Sequence, residues 1–182
     1  MTTQNPFKLI QDSCEKTGAD LVLIGSHALG AHGYHRMTLD IDFMTTEKDY
    51  NKIKETMGAV GYGEVARTEV AAKLRGTSED LIDIDFLFVD ENTFEGVKAD
   101  AKTSRFGACE LLVAKPEHLI ALKLHAIKQQ PKARELKDLS DIVELVNANQ
   151  IDVTTTEFKS MCLKYGPEEL YSKILKHVAI ND

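Results

Sequence analysis

Hydrophobic and polar positions along the chain follow two periods. Residues 5–17 carry the 3.6-residue period of a helix: Phe7, Ile10 and Cys14 share a face, Asn5 and Pro6 open it, and Gly18 closes it. A short apolar run, Leu21-Val22-Leu23-Ile24, predicts a strand over 20–24 that breaks at Gly25-Ser26, followed by a short helix over 28–33. A strand is expected over 38–44, then a helix capped by Thr46 and running to about Val60, with Tyr50, Ile53 and Met57 on one face. Residues 64–75 alternate loosely, as a strand or hairpin arm with Arg67, Lys73 and Arg75 toward solvent. A strand over 81–88, a partly helical stretch over 90–102, and short strands at 104–106 and 109–113 around Gly107 complete the first part.

From Lys115-Pro116 onward only helices are expected. One runs to Gln130-Pro131 and another over about 133–148. A third follows the Thr154–Glu157 capping box and stops at Gly166, and a fourth runs from Pro167 to about Val178. The pattern predicts an α/β fold, with a small mixed β-sheet backed by helices and then a helical C-terminal half. The expected division is 1–114 for the core and 115–182 for a helical region packed on it.

Within this pattern two strands carry the same device. In Thr38-Leu39-Asp40-Ile41-Asp42-Phe43, strand alternation sets Asp40 and Asp42 on one face and turns Leu39, Ile41 and Phe43 to the core. In the stretch 81–88, Asp83 and Asp85 share a face opposite Ile82, Ile84, Phe86 and Phe88. Paired carboxylates on an apolar strand are costly unless a positive charge sits between them. An edge or strand-end position would relieve one doublet cheaply. Two doublets on strands able to lie side by side point instead to a divalent ion, and to the two-metal chemistry of phosphoryl or nucleotidyl transfer. Gly25 lets backbone approach a ligand, the following helix offers free N–H groups to an anion, and Ser26 adds a hydroxyl. An ordinary strand-to-helix turn is the plainer alternative. His27, His32 and His35 lie nearby, and packing or hydrogen bonding suits them better than metal ligation.

Composition narrows the field. The chain has 182 residues, 43% hydrophobic and 28% charged, which suits an ordinary soluble globule. A net charge of −7 argues against a broad nucleic-acid-coating surface while leaving room for a local basic pocket. Cys14, Cys109 and Cys162 stand far apart without metal-ligand spacing and read as buried thiols of a reducing cytoplasm. No signal peptide and no membrane-spanning run is expected.

Gly25-Ser26, a spacer, and then Asp40-Ile41-Asp42-Phe43 resemble the signature of the DNA polymerase β-like nucleotidyltransferases, with a spacer at the long end for the family. The string GSHALGAHGYHRMTLDIDF is most similar to the small bacterial branch that includes the nucleotidyltransferase toxins of abortive-infection systems. Its Arg-x-Thr-x-Asp-x-Asp ending is matched by Arg36, Thr38, Asp40 and Asp42. The helix holding Lys123 in an apolar segment, followed by Arg134-x-x-Lys137-Asp138-x-x-Asp141, resembles the same branch. The likeness extends over about residues 20–146.

The resemblance implies a Mg²⁺- or Mn²⁺-dependent transfer of a nucleoside monophosphate from a nucleoside triphosphate. Asp40 and Asp42 would hold both ions. A third carboxylate comes from Asp83 or Asp85, with Asp85 favoured because Ile-Asp-Phe-Leu looks more like the family's third acidic motif. Gly25 and Ser26 would hold the triphosphate, aided by Lys123 and Lys137, with Arg36 and Thr38 also on the nucleotide side. Asp138 and Asp141 would hold those lysines, support the metal site, or form a purely structural network. A tRNA end, a protein hydroxyl and a small molecule such as an aminoglycoside all fit as acceptor, and an antitoxin or oligomer partner is implied. The rivals are a non-catalytic nucleotide-binding or toxin–antitoxin partner of the same fold, and a plain interaction protein with acidic strands at a solvent edge.

Overall fold

The computed structural model describes residues 5–78 and 80–180. The chain divides into two compact units, one made of the stretch up to Ala28 with Met37–Lys115, the other of Leu29–Arg36 with the chain from Pro116 onward.

The first unit is built on strands β1 (Val22–Ile24), β2 (Asp40–Thr45), β3 (Tyr62–Arg67), β4 (Ala71–Gly76), β5 (Asp83–Phe88), β6 (Lys102–Phe106) and β7 (Cys109–Val113). Among the described residues they form one seven-stranded sheet in the order β3-β4-β5-β2-β1-β7-β6. β2 runs parallel to β5 and β1 parallel to β7, while the other neighbours are antiparallel, so the sheet is mixed as expected. The loose alternation of 64–75 is resolved as the β3–β4 hairpin.

Helix α1 (Pro6–Thr17) starts where Asn5 accepts the N–H of Phe7 at 3.0 Å and ends at Gly18, whose φ of 65° suits a residue without Cβ. Helix α2 (Gly25–Ala31) leaves β1, and helix α3 (Glu47–Ala59) begins at Thr46, which accepts the N–H of Asp49 at 3.1 Å. Helix α4 (Glu91–Asp100) follows β5. Tyr50, Ile53 and Met57 of α3 are fully buried, with Ile41, Phe43, Ile84 and Phe86 of the sheet also inside. The Tyr50 and Phe86 rings lie 5.0 Å apart, edge to face. Each such side chain contributes about 1.5–3 kcal/mol of burial, and that rigid apolar layer holds the opposite, acidic face of β2 and β5 in place.

Leu39 departs from the expected pattern. It is 86% exposed, not turned into the core, because the β2–β5 pairing starts one residue later, at Asp40 opposite Asp83. Met37 is similarly exposed.

The second unit is helical: α5 (Pro116–Gln129), α6 (Pro131–Ala148), α7 (Thr156–Tyr165) and α8 (Leu170–Ile180). Leu119, Ile120, Leu124 and Ile127 of α5 and Ile142, Leu145 and Val146 of α6 are buried where these helices pack. Pro131 starts α6 one residue after Gln130, where its missing N–H costs nothing. Asn149 donates to the carbonyl of His32 at 3.2 Å, fastening the Leu29–Arg36 stretch.

Several boundaries differ from expectation: α2 spans Gly25–Ala31 where 28–33 was the expected range, so Gly25-Ser26 open the helix, and α6 starts at Pro131, not at 133. Thr155, not Thr154, caps α7, because Thr154 is held by Asp152 while Thr155 accepts from Phe158 at 3.2 Å. Pro167 lies in a turn closed by Leu170 N–H at 3.1 Å, and α8 starts only at Leu170. Among the described residues no helix is long and apolar enough to cross a membrane.

Candidate active site

Parallel pairing sets Asp40 opposite Asp83 and Asp42 opposite Asp85, and antiparallel pairing sets Asp42 opposite Ile24, the last residue before Gly25. Same-face alternation therefore brings both doublets together beside the end of β1. Asp40, Asp42 and Asp85 each present an oxygen within 4.8 Å of the other two. Thr38 donates to Asp40 Oδ1 at 2.6 Å and fixes its rotamer.

Gly25 has a φ of 64°, and a Cβ there would stand 1.9 Å from Asp42 Oδ2. Only glycine permits both the backbone angle and the approach of that carboxylate. Ser26, next in the chain, is buried. His27 packs edge to face on Phe7, ring centres 5.2 Å apart. Burial holds its pKa below the usual 6.5, while the Asp40 charge pulls the other way.

Asp83 does not join the three. Its Oδ2 lies 3.3 Å from Arg75 Nε and 3.8 Å from Lys73 Nζ. Lys73 was expected toward solvent, yet it sits opposite Asp85 in the β4–β5 register with Nζ 3.1 Å from Asp85 Oδ1. It hydrogen-bonds Asp85 Oδ2 at 3.4 Å, whereas the buried Oδ1 is within ion-pair range but accepts no hydrogen bond. Burial opposes the lysine's charge, but the hydrogen bond and field of Asp85, with Asp83 and Asp40 behind, raise its pKa above the ordinary value. The spacing carries half of the signal, and the pairing of the strands carries the rest. Lys73 and Arg75 alternate with the apolar Ala72 and Leu74 as Asp83 and Asp85 do with Ile84 and Phe86, so antiparallel pairing aligns charge with countercharge.

In the second unit Lys123 Nζ lies 3.1 Å from Asp138 Oδ1 and also bonds Asp141 Oδ2, all three side chains being largely buried. Arg36 Nε donates to Asp141 Oδ1 at 3.1 Å. Of the roles left open for Asp138 and Asp141, holding Lys123 is the one this geometry displays. Lys137 is exposed.

The donor set of Asp40, Asp42 and Asp85 is all carboxylate oxygen, the chemistry that suits Mg²⁺ or Mn²⁺ and not a thiolate- or imidazole-seeking ion. Asp85 Oδ1 is buried and accepts no hydrogen bond, with the Lys73 ammonium beside it at 3.1 Å as countercharge. Among the described residues no histidine or cysteine joins this group. Cys14 is half-buried and Cys109 and Cys162 are buried, all unbridged. Burial pushes the thiols of Cys14 and Cys162 up to about 12, so neither is a nucleophile near neutrality.

The family model described as nucleotidyl transferase AbiEii toxin, type IV toxin–antitoxin system, matches residues 8–176. The chain belongs to this family. The AbiEii match spans both units, including the carboxylate centre and the Lys123 network. Comparison with the curated proteins gives no match.

Solved structures share the fold. The antibiotic-resistance factor ANT(2'')-Ia is 10% identical, with 97% of each chain covered and a TM-score of 0.66. The lincomycin-bound lincosamide antibiotic adenylyltransferase LnuA is 13% identical over 79% of this chain and 96% of its own, TM-score 0.56. An antigenic nucleotidyltransferase-like protein from Paracoccidioides brasiliensis is 17% identical over 94% of this chain and 90% of its own, TM-score 0.55. This AbiEii-family chain thus has a nucleotidyltransferase fold.

Proposed function

We propose that the chain is a Mg²⁺- or Mn²⁺-dependent nucleotidyltransferase that moves a nucleoside monophosphate from a nucleoside triphosphate to an acceptor hydroxyl, acting in the cytoplasm as the toxin of a toxin–antitoxin pair. The observation that carries this reading is the meeting of Asp40, Asp42 and Asp85 on two register-paired strands beside Gly25-Ser26. Family membership supports it.

Asp40, Asp42 and Asp85 are the residues that would hold the ions. An ion bound there would supply charge neutralisation at the α-phosphate and a more acidic acceptor hydroxyl. Thr38 keeps Asp40 turned toward its partners, and Gly25 leaves Asp42 the space it occupies. The bare backbone at Gly25 and the hydroxyl of Ser26 would receive the β- and γ-phosphates. In the transfer the acceptor oxygen bonds to the α-phosphorus and the bridging oxygen toward the β-phosphate leaves with pyrophosphate. The acceptor's proton is released to solvent.

The test is incubation with each α-labelled triphosphate, Mg²⁺ or Mn²⁺, and whole-cell extract, followed by separation into RNA, protein and small-molecule fractions. Label should enter one fraction with the wild type and none with Asp42→Asn. Absence of label from every fraction with every triphosphate, the small-molecule pool included, would overturn the reading.

A further inference from the structure

A lysine is built into the carboxylate centre. β4 pairs antiparallel with β5, and this register delivers Lys73 opposite Asp85. Its ammonium is 3.1 Å from Asp85 Oδ1 and 3.8 Å from Asp83 Oδ2, with the side chain 30% exposed. Asp85 is the carboxylate that completes the cluster with Asp40 and Asp42, whereas Asp83 stands outside it. The lysine therefore bridges a carboxylate that belongs to the cluster and one that does not.

We propose that Lys73 is the resident counter-cation of the carboxylate centre, withdrawing from Asp85 toward Asp83 as a divalent ion enters, and thereby setting the affinity for that ion. The inference rests on the metal reading above. Two cations sharing one carboxylate at 3–4 Å repel strongly where solvent is partly excluded. The ion must either bind more weakly or displace the ammonium. Displacement has a destination in Asp83, already within ion-pair range, although its Oδ2 is shared with the more exposed Arg75 at 3.3 Å. The arrangement also accounts for the second acidic doublet. Asp85 serves the ion, and Asp83 receives the lysine that the ion expels.

The experiment titrates the purified full chain with Mn²⁺, following loss of the free-ion paramagnetic resonance signal, and records melting without metal. Lys73→Met should bind Mn²⁺ about tenfold more tightly than the wild type and melt lower in its absence, because Asp85 then lacks its countercharge. Lys73→Arg keeps the charge and should bind Mn²⁺ like the wild type. Asp83→Asn removes the destination and should bind several-fold more weakly, and the double variant with Lys73→Met should regain the tight binding. Binding by Lys73→Met that equals or falls below that of a metal-binding wild type overturns this inference and leaves the metal reading standing. Failure of the wild type and Lys73→Met alike to bind Mn²⁺ overturns both.

Discussion

Gly25 presents its bare Cα to the carboxylate of Asp42, so close that a Cβ there would meet Oδ2 at 1.9 Å. The residue that follows β1 and the second acid of β2 are thus shaped to one another. Gly25→Ala forces a side chain into a backbone conformation with φ 64°, at about 1–3 kcal/mol, and pushes Asp42 from its place. The expected outcome is a lower melting temperature together with loss of the metal-dependent rise in melting. A variant that melts lower but keeps the full metal-dependent rise would show that Asp42 had not moved.

Asp42→Asn separates the two consequences. One negative charge fewer among three crowded carboxylates relieves repulsion, so without metal the variant should melt at or above the wild type. With Mg²⁺ at about a hundred times its Kd, the wild type should gain about 2.7 kcal/mol, and Asp42→Asn much less. Equal gains for both proteins would remove Asp42 from the ion site.

These contacts were unequally legible in the sequence. The acidic doublets declared their shared faces, because strand alternation is strict and Ile41, Phe43, Ile84 and Phe86 define the buried side. Helix ends at Asn5, Gly18 and Thr46 were equally plain, since capping is local chemistry. Lys73 was not, because its meaning depends on which strand lies beside it, and the β4–β5 register is a long-range fact. Leu39 failed for a related reason: alternation names a face but does not say where pairing begins. The Arg36-x-Thr38 pair divided, with Thr38 orienting Asp40 and Arg36 turned to Asp141, a separation that spacing alone does not reveal.

His27 gives the protein a measurable pH dependence. Burial against Phe7 holds its pKa below 6.5, so the fold prefers the neutral ring. As pH falls through 6.5 the unfolded chain takes up the proton before the folded one, and stability falls with it until the folded pKa is passed. The contribution is therefore complete above 6.5 and lost on the acid side. Melting temperature should decline between pH 7.5 and 5.5 more steeply for the wild type than for His27→Gln. Parallel profiles would mean that the imidazole is solvated equally in both states.

The Lys123 network offers the sharpest contrast between two roles for one residue. If its ammonium served only a triphosphate, Lys123→Met would leave the fold intact, Met being a good helix former of similar length. The geometry argues otherwise. Lys123 is 11% exposed, and it faces Asp138 and Asp141, exposed 3% and 1%. Removing the cation takes the shared partner from two buried carboxylates. Breaking one side of a buried pair costs about 3–5 kcal/mol, against less than about 1 kcal/mol for a surface pair. Among the described residues, Arg36 still reaches Asp141 at 3.1 Å, while the cation left to Asp138 is Arg134 at 3.9 Å, so Asp138 should carry most of the loss. Denaturant melts without nucleotide should show Lys123→Met destabilised by about 3 kcal/mol, with Asp138→Asn in the same chain restoring part of it. A Met variant that melts like the wild type yet has lost triphosphate binding would assign the ammonium to the ligand and not to the fold.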